Sequence, residues 1–531
     1  MTEPRRPRVI QMNDDSVAYF RWVGERPKPD HFMTMLDVFD KAGVDTLTHC
    51  FHVRWQASYD SKVVEIIGDL TPEVVRPFEE THYWQWVAGI RRLIADGNDP
   101  PKVLAAGARE RGMLFMPGLR LNDKHGMHVW EGHSGSFRRD NPEWKLAEPA
   151  NAAMDYGVRE VREHILNVVR ELVERYDVDG IDLDFMRWPE FFKDDQVKAN
   201  TPVMTEFVRQ IRSILDEAGR KKGKRLLVCA RVPMKIGEGK VLNAHATSKD
   251  LECLGIGLDV PAWIREGLID IVCPMSFFHT HWLEMIRGMP QWRQLTDGTD
   301  CGLYPTIHPW PAHDYKPPYV TDASYFGAAY SYYLHGADGI ALYNFFLYWP
   351  HDDPSAMVRV LNDPQKLRSM PRRYHSQLGG SVIVGPHTAQ LTRKDERKEF
   401  EFFLPEDPQA AAVEATLRFV GRNLTMDHVI EVDVNGEPVD PGSITYEILL
   451  RNDGTPDRQY ANVVSVPLTG SGAVTGENIL GVKWIRGNPE IPFKRASKHG
   501  AMWGGFTITE VEAIFNAREA ERRAPSRAKG E

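Results

Sequence analysis

Asp179-Gly-Ile-Asp-Leu-Asp-Phe-Met-Arg-Trp-Pro189 is a short apolar run that ends in two carboxylates, followed at once by a cation, an indole and a proline. Residues two apart in a strand face the same way. Asp182 and Asp184 therefore share one face, and Ile181 and Leu183 share the other. Like charges that close are costly in a core and useful in an active site, where repulsion drives their pKa values apart. The plain alternative is a strand end with two structural aspartates. Arg187 and Trp188 weigh against it, because they set a cation and an aromatic platform just past the strand end.

Outward from this stretch, apolar strand-like runs alternate with helical patterns from residue 8 to about 345. The runs fall at 9–12, 45–50, 113–118, 180–184, 226–230, 269–275, 302–306 and 339–343. Between them, Val158, Val161, Ile165, Val168, Leu172 and Tyr176 recur at helical spacing, and 203–215 repeats the rhythm. Eight strands so spaced predict an α/β fold, a (β/α)8 TIM barrel with enlarged loops at 50–80 and 119–156. A doubly wound open sheet is the alternative, but no Gly-rich phosphate turn follows the first strand.

After Pro371-Arg372-Arg373 the helical rhythm stops, and alternating segments such as 429–434 and 507–511 are separated by turn signals such as Asn435-Gly436. That pattern predicts an all-β sandwich. The expected organisation is a barrel over 1–375, a β-sandwich accessory domain over 376–515 and a charged, disordered tail over 516–531.

With 531 residues, 42% of them apolar, the chain has ample material for two cores, and its net charge of −9 is mild. Basic residues cluster briefly at 220–225 and in the tail, which speaks against nucleic acid as a main partner. Cys50, Cys229, Cys253, Cys273 and Cys301 are odd in number and lack Cys-x-x-Cys spacing, so they read as buried thiols in a reduced protein. The N-terminal residues hold no apolar core of a leader, and no segment reaches bilayer length. The expectation is a cytoplasmic protein, with secretion left open if a leader was trimmed. Fourteen Trp and seventeen Tyr supply flat rings of the kind that suit sugar faces.

The barrel portion resembles the glycosyl hydrolase-like 10 group of (β/α)8 proteins, allied to glycoside hydrolases. The resemblance is carried by Arg120-Leu-Asn-Asp-Lys-His125, Val161-Arg-Glu-His-Ile165, Asp177 to Pro189, Asp259-Val-Pro-Ala-Trp263 and Gly267 to Met275, in that order. It implies a barrel and carbohydrate chemistry over residues 8–350, with an accessory sandwich behind. Asp179 to Met186 is also similar to the fourth-strand signature of chitinase-like family 18 barrels. Those enzymes carry a glutamic acid where this chain has Met186, and a thioether donates no proton. The acid role does not transfer to that position.

Glycoside cleavage needs a carboxylic acid on the leaving oxygen and a second carboxylate as nucleophile or base. Asp184, at the strand end, is the first candidate. Asp182, one layer deeper, orients it or shifts its pKa, or is structural. Asp123 is favoured as the second carboxylate, with Glu190, Asp259, Glu131 and the Asn13-Asp14-Asp15 run as competitors. Arg187, Trp188, Asn122, His125, Arg120, His49, His52, Arg54, Arg231, Ser276, His279, His308, Tyr343 and Asn344 are the substrate-binding candidates, all near predicted strand ends. No cofactor is called for, and the first strand lacks the His-x-His of metal-dependent barrel hydrolases. No Gly-x-Ser-x-Gly elbow occurs either.

The leading expectation is an enzyme: a glycoside hydrolase cleaving an oligo- or polysaccharide by carboxylate acid/base catalysis at the barrel's C-terminal face. Its partner is carbohydrate, not nucleic acid or membrane, and a homo-oligomer stays open. A catalytically silent carbohydrate-binding barrel, motivated by Met186, comes second, and a metal-dependent hydrolase third.

Overall fold

The computed structural model describes residues 9–16, 26–68, 81–124, 135–146, 153–239, 251–276, 282–308, 321–344, 355–376, 389–392, 394–424, 428–450, 461–486, 496–497, 500–501 and 506–518. Two compact units divide the chain. The first comprises Met1–Phe277, Gly288–Pro309 and Gly336–Asn362; the second comprises Phe278–Arg287, Trp310–His335 and Asp363–Glu531.

The first unit is built on eight parallel strands: β1 Val9–Asp14, β2 Thr46–Val53, β3 Leu114–Arg120, β4 Gly180–Asp184, β5 Leu227–Pro233, β6 Ile271–Met275, β7 in two pieces (Gly302–Leu303 and Thr306–Ile307) and β8 Gly339–Tyr343. Each pairs with the next in chain order. β7 breaks at Tyr304-Pro305 because proline has no N–H to give the ladder. The break does not open the ring. Gly302 pairs with Ile271, the Leu303 carbonyl accepts from Asp338 N–H at 3.0 Å, and Thr306 pairs with Ala341. β8 then pairs with β1, from Val9 opposite Gly339 to Asn13 opposite Tyr343. The sheet is therefore a closed (β/α)8 barrel, the fold class expected, and all eight expected strands are in it.

Alternate residues point inward and fill the ring. Met116, Cys229, Ile271, Cys273, Tyr304 and Ala341 form one buried cluster, with Gln11 among them, its amide 3.4 Å from the Cys229 sulfur. All five cysteines are free and buried. Outside the ring, the helix Arg159–Arg175 turns Val161, Ile165, Val168 and Leu172 to the interior, the face the spacing predicts. Burial of each such aliphatic side chain contributes about 1.5–3 kcal/mol. The next helix, Val197–Lys222, is longer than the expected 203–215. It runs through Pro202 and stops at Gly223, whose φ of 67° is the left-handed conformation that ends a helix.

The second unit is a sandwich of two antiparallel sheets. One runs in the order Arg372–Ser376, Phe506–Ala517, Val413–Arg422, Ala461–Pro467, Thr445–Ile448; the other runs Arg397–Leu404, Gly476–Arg486, Val429–Val434, Glu437–Pro438. Phe400, Phe402 and Leu404 are buried while Arg397, Glu399 and Glu401 are exposed, the alternation of a half-buried strand. Asn435 and Gly436, with φ of 54° and 82°, make the tight hairpin turn that their dipeptide forecasts. Trp484 is buried, its ring 6.0 Å from that of Phe506. The helix Asp322–Leu334 belongs to this unit and lies against Arg372–Ser376. Among the described residues, no helix is long and apolar enough to cross a membrane.

Gly180 opens β4 where a side chain has no room: an added Cβ would stand 2.2 Å from the Leu227 carbonyl oxygen of β5. Gly180→Ala should therefore destabilise the barrel by about 1–3 kcal/mol, measured as a lowered midpoint of chemical denaturation. An unchanged midpoint would mean the two strands are not in this contact.

Candidate functional site

Above the thiol layer the inward positions become polar. Asn13 of β1, Thr48 of β2, Asp182 of β4, Arg231 of β5 and Tyr343 of β8 make the next layer. The Asn13 amide donates to the Thr48 hydroxyl at 2.9 Å and lies 3.5 Å from Asp182 Oδ2. Arg231 donates to the same carboxylate oxygen at 2.5 Å, and its guanidinium lies 4.7 Å above the Tyr343 ring. Asp182 and Arg231 are both sealed from solvent. Burial pushes the Asp182 carboxyl above the usual aspartate range; the Arg231 charge pulls it back, and Asp184 pushes it up again. Asp182 is thus the buried anchor of the layer.

One step towards the strands' C-terminal ends stands Asp184. Its Oδ1 accepts the backbone N–H groups of Met186 (2.9 Å) and Arg187 (3.2 Å), so the turn after β4 folds around it. Its Oδ2 accepts nothing from the described residues and is not among the sealed polar atoms. The carboxylate is therefore gripped by one oxygen and offers the other. Met186 is buried with Met275 and Tyr343, and Trp188 is held at a φ of 60°, a conformation costly for a bulky residue. Lys124 sits 5.1 Å over the Trp188 ring and pairs with Glu190 at 2.7 Å.

Arg120, opposite Asp184 in the β3–β4 ladder, reaches two more carboxylates: Asp15 at 3.3 Å and Asp123 at 3.4 Å. Cys50 of β2 is buried in the field of Arg120, Asp184, Asp123 and Asp15. Burial pushes its thiol up to about 12, so it is no nucleophile at neutral pH. Arg187 stands 5.5 Å from the Tyr343 ring, on which Arg231 also stacks. Burial pushes the Tyr343 phenol up to about 12 against the pull of Arg187, and its hydroxyl has no partner among the described residues. Asn344 follows at a φ of 51°, buried, its Oδ1 likewise without a donor. Ser276 and His308 are buried at the ends of β6 and β7, His308 with its ring 5.5 Å from Tyr343.

The remaining candidates stand elsewhere. Asn122 is spent on backbone: it donates to the Met154 and Glu190 carbonyls and accepts from Met154 N–H at 2.9 Å. His49 points outward, its Nδ1 2.7 Å from Asp14, with its ring against Phe32 and Phe51. His52 also leaves the mouth, because the β2–β3 ladder slips between Cys50 and His52 and the alternation is lost there. Its Nδ1 lies 3.2 Å from the Arg120 carbonyl and its Nε2 lies 3.3 Å from His164 Nε2. Burial pushes His52 down to about 4 and His164 well below the usual imidazole range. Arg54 and Trp55, with φ of 53° and 63°, form the two-residue turn of a small hairpin; Trp55 stacks on Phe137 at 5.7 Å. His125 and His279 lie outside the described residues, as does Glu131. His164, Cys50 and Thr48 were not among the candidates. The parity of β2 and the helical spacing of His164 with Val161 and Ile165 were the available signals. Among the described residues, no group of three or more His, Cys, Asp or Glu is placed to hold a metal ion.

The sequence matches no protein-family profile, and no curated protein is significantly similar to it. Among solved structures it is similar to a noncanonic maltogenic α-amylase, AmyB from Thermotoga neapolitana, at 13% identity and a TM-score of 0.37, over 90% of this chain and 99% of that one. It is also similar to the GH36 α-galactosidase AgaB from Geobacillus stearothermophilus, at 12% identity and a TM-score of 0.38, over 90% of this chain and 56% of that one. The galactosidase domain of the α-galactosidase-sucrose kinase AgaSK gives 11% and 0.39, over 91% and 55%. The chain thus spans little more than half the length of the two galactosidases.

Arg231→Met and Asp182→Asn should each destabilise the protein by about 3–5 kcal/mol, since each removes one partner of a sealed ion pair. Denaturant titration of both variants checks the losses. The two buried imidazoles set a second expectation. An unfolded His52 binds a proton below about 6.5, and the folded one does so only near 4. Stability is therefore complete above pH 6.5 and is lost as pH falls towards 4, by roughly 3 kcal/mol from His52. Denaturation midpoints that stay flat between pH 7 and 4.5 would contradict the burial of a neutral pair.

Proposed function

We propose that the chain is a glycoside hydrolase that cleaves an oligo- or polysaccharide at the C-terminal mouth of the barrel, as its resemblance to the glycosyl hydrolase-like 10 group implies. One observation carries the proposal: Asp184 ends β4 with Oδ1 fixed by two backbone N–H groups and Oδ2 unclaimed by the described residues. A carboxylate so held has one orientation and one free oxygen, which is what attack or proton transfer at a glycosidic bond requires. Asp123, beside the Arg120 guanidinium, is the second carboxylate of the proposal. Asp182 orients the layer from below through Arg231 and Asn13. The unpartnered Tyr343 hydroxyl and Asn344 carbonyl are the polar groups proposed to meet sugar hydroxyls. Arg187 and Trp188 complete the rim.

A second reading is favoured by Met186. Its side chain packs on Met275 and Tyr343, where family 18 chitinases carry their acid, so a barrel that binds sugar without cleaving it fits that position. The two readings part on product formation.

Asp184→Asn keeps an oxygen for the two N–H groups, so its melting temperature should stay near that of the native protein. Turnover of a responsive aryl glycoside or natural polysaccharide should fall by about 10²- to 10⁴-fold. Full activity in this variant would remove Asp184 from the chemistry, and tight binding with no product from the native protein would favour the silent barrel.

A further inference from the structure

We propose that His164 and His52 are positioning residues for Arg120: a relay of two neutral imidazoles, running from a surface helix to the β3 backbone, that sets where the guanidinium stands between Asp15 and Asp123. The inference deepens the proposed active site and rests on that reading for its kinetic consequence, but its geometry stands by itself.

The relay has one consistent arrangement of protons. The Arg120 carbonyl can only accept, so His52 Nδ1, 3.2 Å away, must carry its hydrogen. In a neutral ring that leaves a lone pair on His52 Nε2. His164 Nε2, 3.3 Å from it, is then the donor. Helix Arg159–Arg175 thus hands a hydrogen bond to β2, and β2 hands one to β3. A second proton on His52 would turn two N–H groups towards each other and break the chain at its middle.

The surroundings hold that arrangement in place. Trp55 lies 5.8 Å from the His52 ring and 5.5 Å from His164, and Phe137 covers His164 at 4.1 Å. Both imidazoles are buried, so His52 Nδ1 and the two facing Nε2 atoms depend on their protein partners. Burial is what lowers both rings; Asp123 opposes it at His52, and His52 adds to it at His164. A pair of leucines would pack more cheaply in such a box. What they could not supply is a donor for the Arg120 carbonyl at the point where the ladder slips out of register.

The carbonyl belongs to the residue whose side chain links the two loop carboxylates. Arg120 reaches Asp15 and Asp123 by long contacts, 3.3 and 3.4 Å, which a small rotation of the β3 end would break. Displacement of that end by about 1 Å is enough to cost two decades of rate in a site that works by alignment.

Two variants of His164 test the relay. His164→Gln retains an N–H donor of similar reach; His164→Phe fills the box and has none. Nitrogen-15 NMR of the native protein should show His52 protonated at Nδ1 and His164 at Nε2. In His164→Phe the Arg120 side-chain N–H should exchange with solvent faster and kcat on the responsive glycoside should fall about 10- to 100-fold, with KM nearly unchanged, while His164→Gln restores most of both. The opposite tautomer on His52, or equal Arg120 exchange in all three proteins, overturns the relay. A native protein that turns over no sugar would refute the proposed function, while the tautomers and the Arg120 exchange would still judge the relay.

Discussion

A closed ring of parallel strands must bury whatever its inward positions carry, and in this barrel one of those positions carries a carboxylate. Asp182 has no route to water, so the ring has to supply its counter-charge from within. Arg231 does so from the neighbouring strand, and Asn13 approaches the same oxygen from across the ring. The polar layer follows from that one requirement. Arg231, drawn down to Asp182, lays its guanidinium on Tyr343, and the tyrosine in turn lies under Arg187. Deep ionic pairs add little net stability beside well-packed apolar groups, because desolvation offsets their attraction. Their value here is directional: the pair fixes the level at which the next inward residue, Asp184, emerges.

Much of this was legible in the sequence because strands and barrels obey short periods. Period two along 180–184 put both carboxylates on one face, and the spacing of eight apolar runs gave the number of strands. The residues that went elsewhere did so for reasons beyond any local period. His49 has the parity of the outer face, and Asp14 has it too; the sequence displayed that parity, but it also displayed a histidine at a strand end. His52 has the inward parity and still turns out, because one slipped pair in the β2–β3 ladder reverses the alternation. Asn122 reads as a sugar ligand by type, yet the loop after β3 needs a side chain that satisfies backbone on both sides, and Asn122 meets that need with two donors and an acceptor. The longer helix Val197–Lys222 shows the same limit. Pro202 suggests a start just after itself, whereas packing of the turn before it carries the helix further back.

Strain concentrates where the chain leaves the strands. Arg54, Trp55, Trp188 and Asn344 all take positive φ without being glycine, and each lies within a few residues of a β2, β4 or β8 terminus. A turn of two such residues would ordinarily hold Asn-Gly, as the sandwich hairpin at Asn435 does. Trp55 is kept there by its neighbours: its indole stacks on Phe137 and closes the box around the histidine pair. Trp188 is kept by the grip of the Asp184 carboxylate on the backbone just before it, and by Lys124 over its ring. The backbone cost at these positions is of order 1–3 kcal/mol each, and it persists because packing on both sides leaves the chain no alternative.

Met186 ties these threads together. In a strand-end turn that folds around Asp184, the second residue after the carboxylate gives its N–H to Oδ1 whatever its side chain is. A side chain there is free to differ in chemistry so long as it can be buried, and the thioether is buried against Met275 and Tyr343. A methionine just past the paired aspartates therefore leaves the charged centre in place. Asp184 keeps one oxygen bound by two backbone N–H groups, above the sealed pair of Asp182 and Arg231.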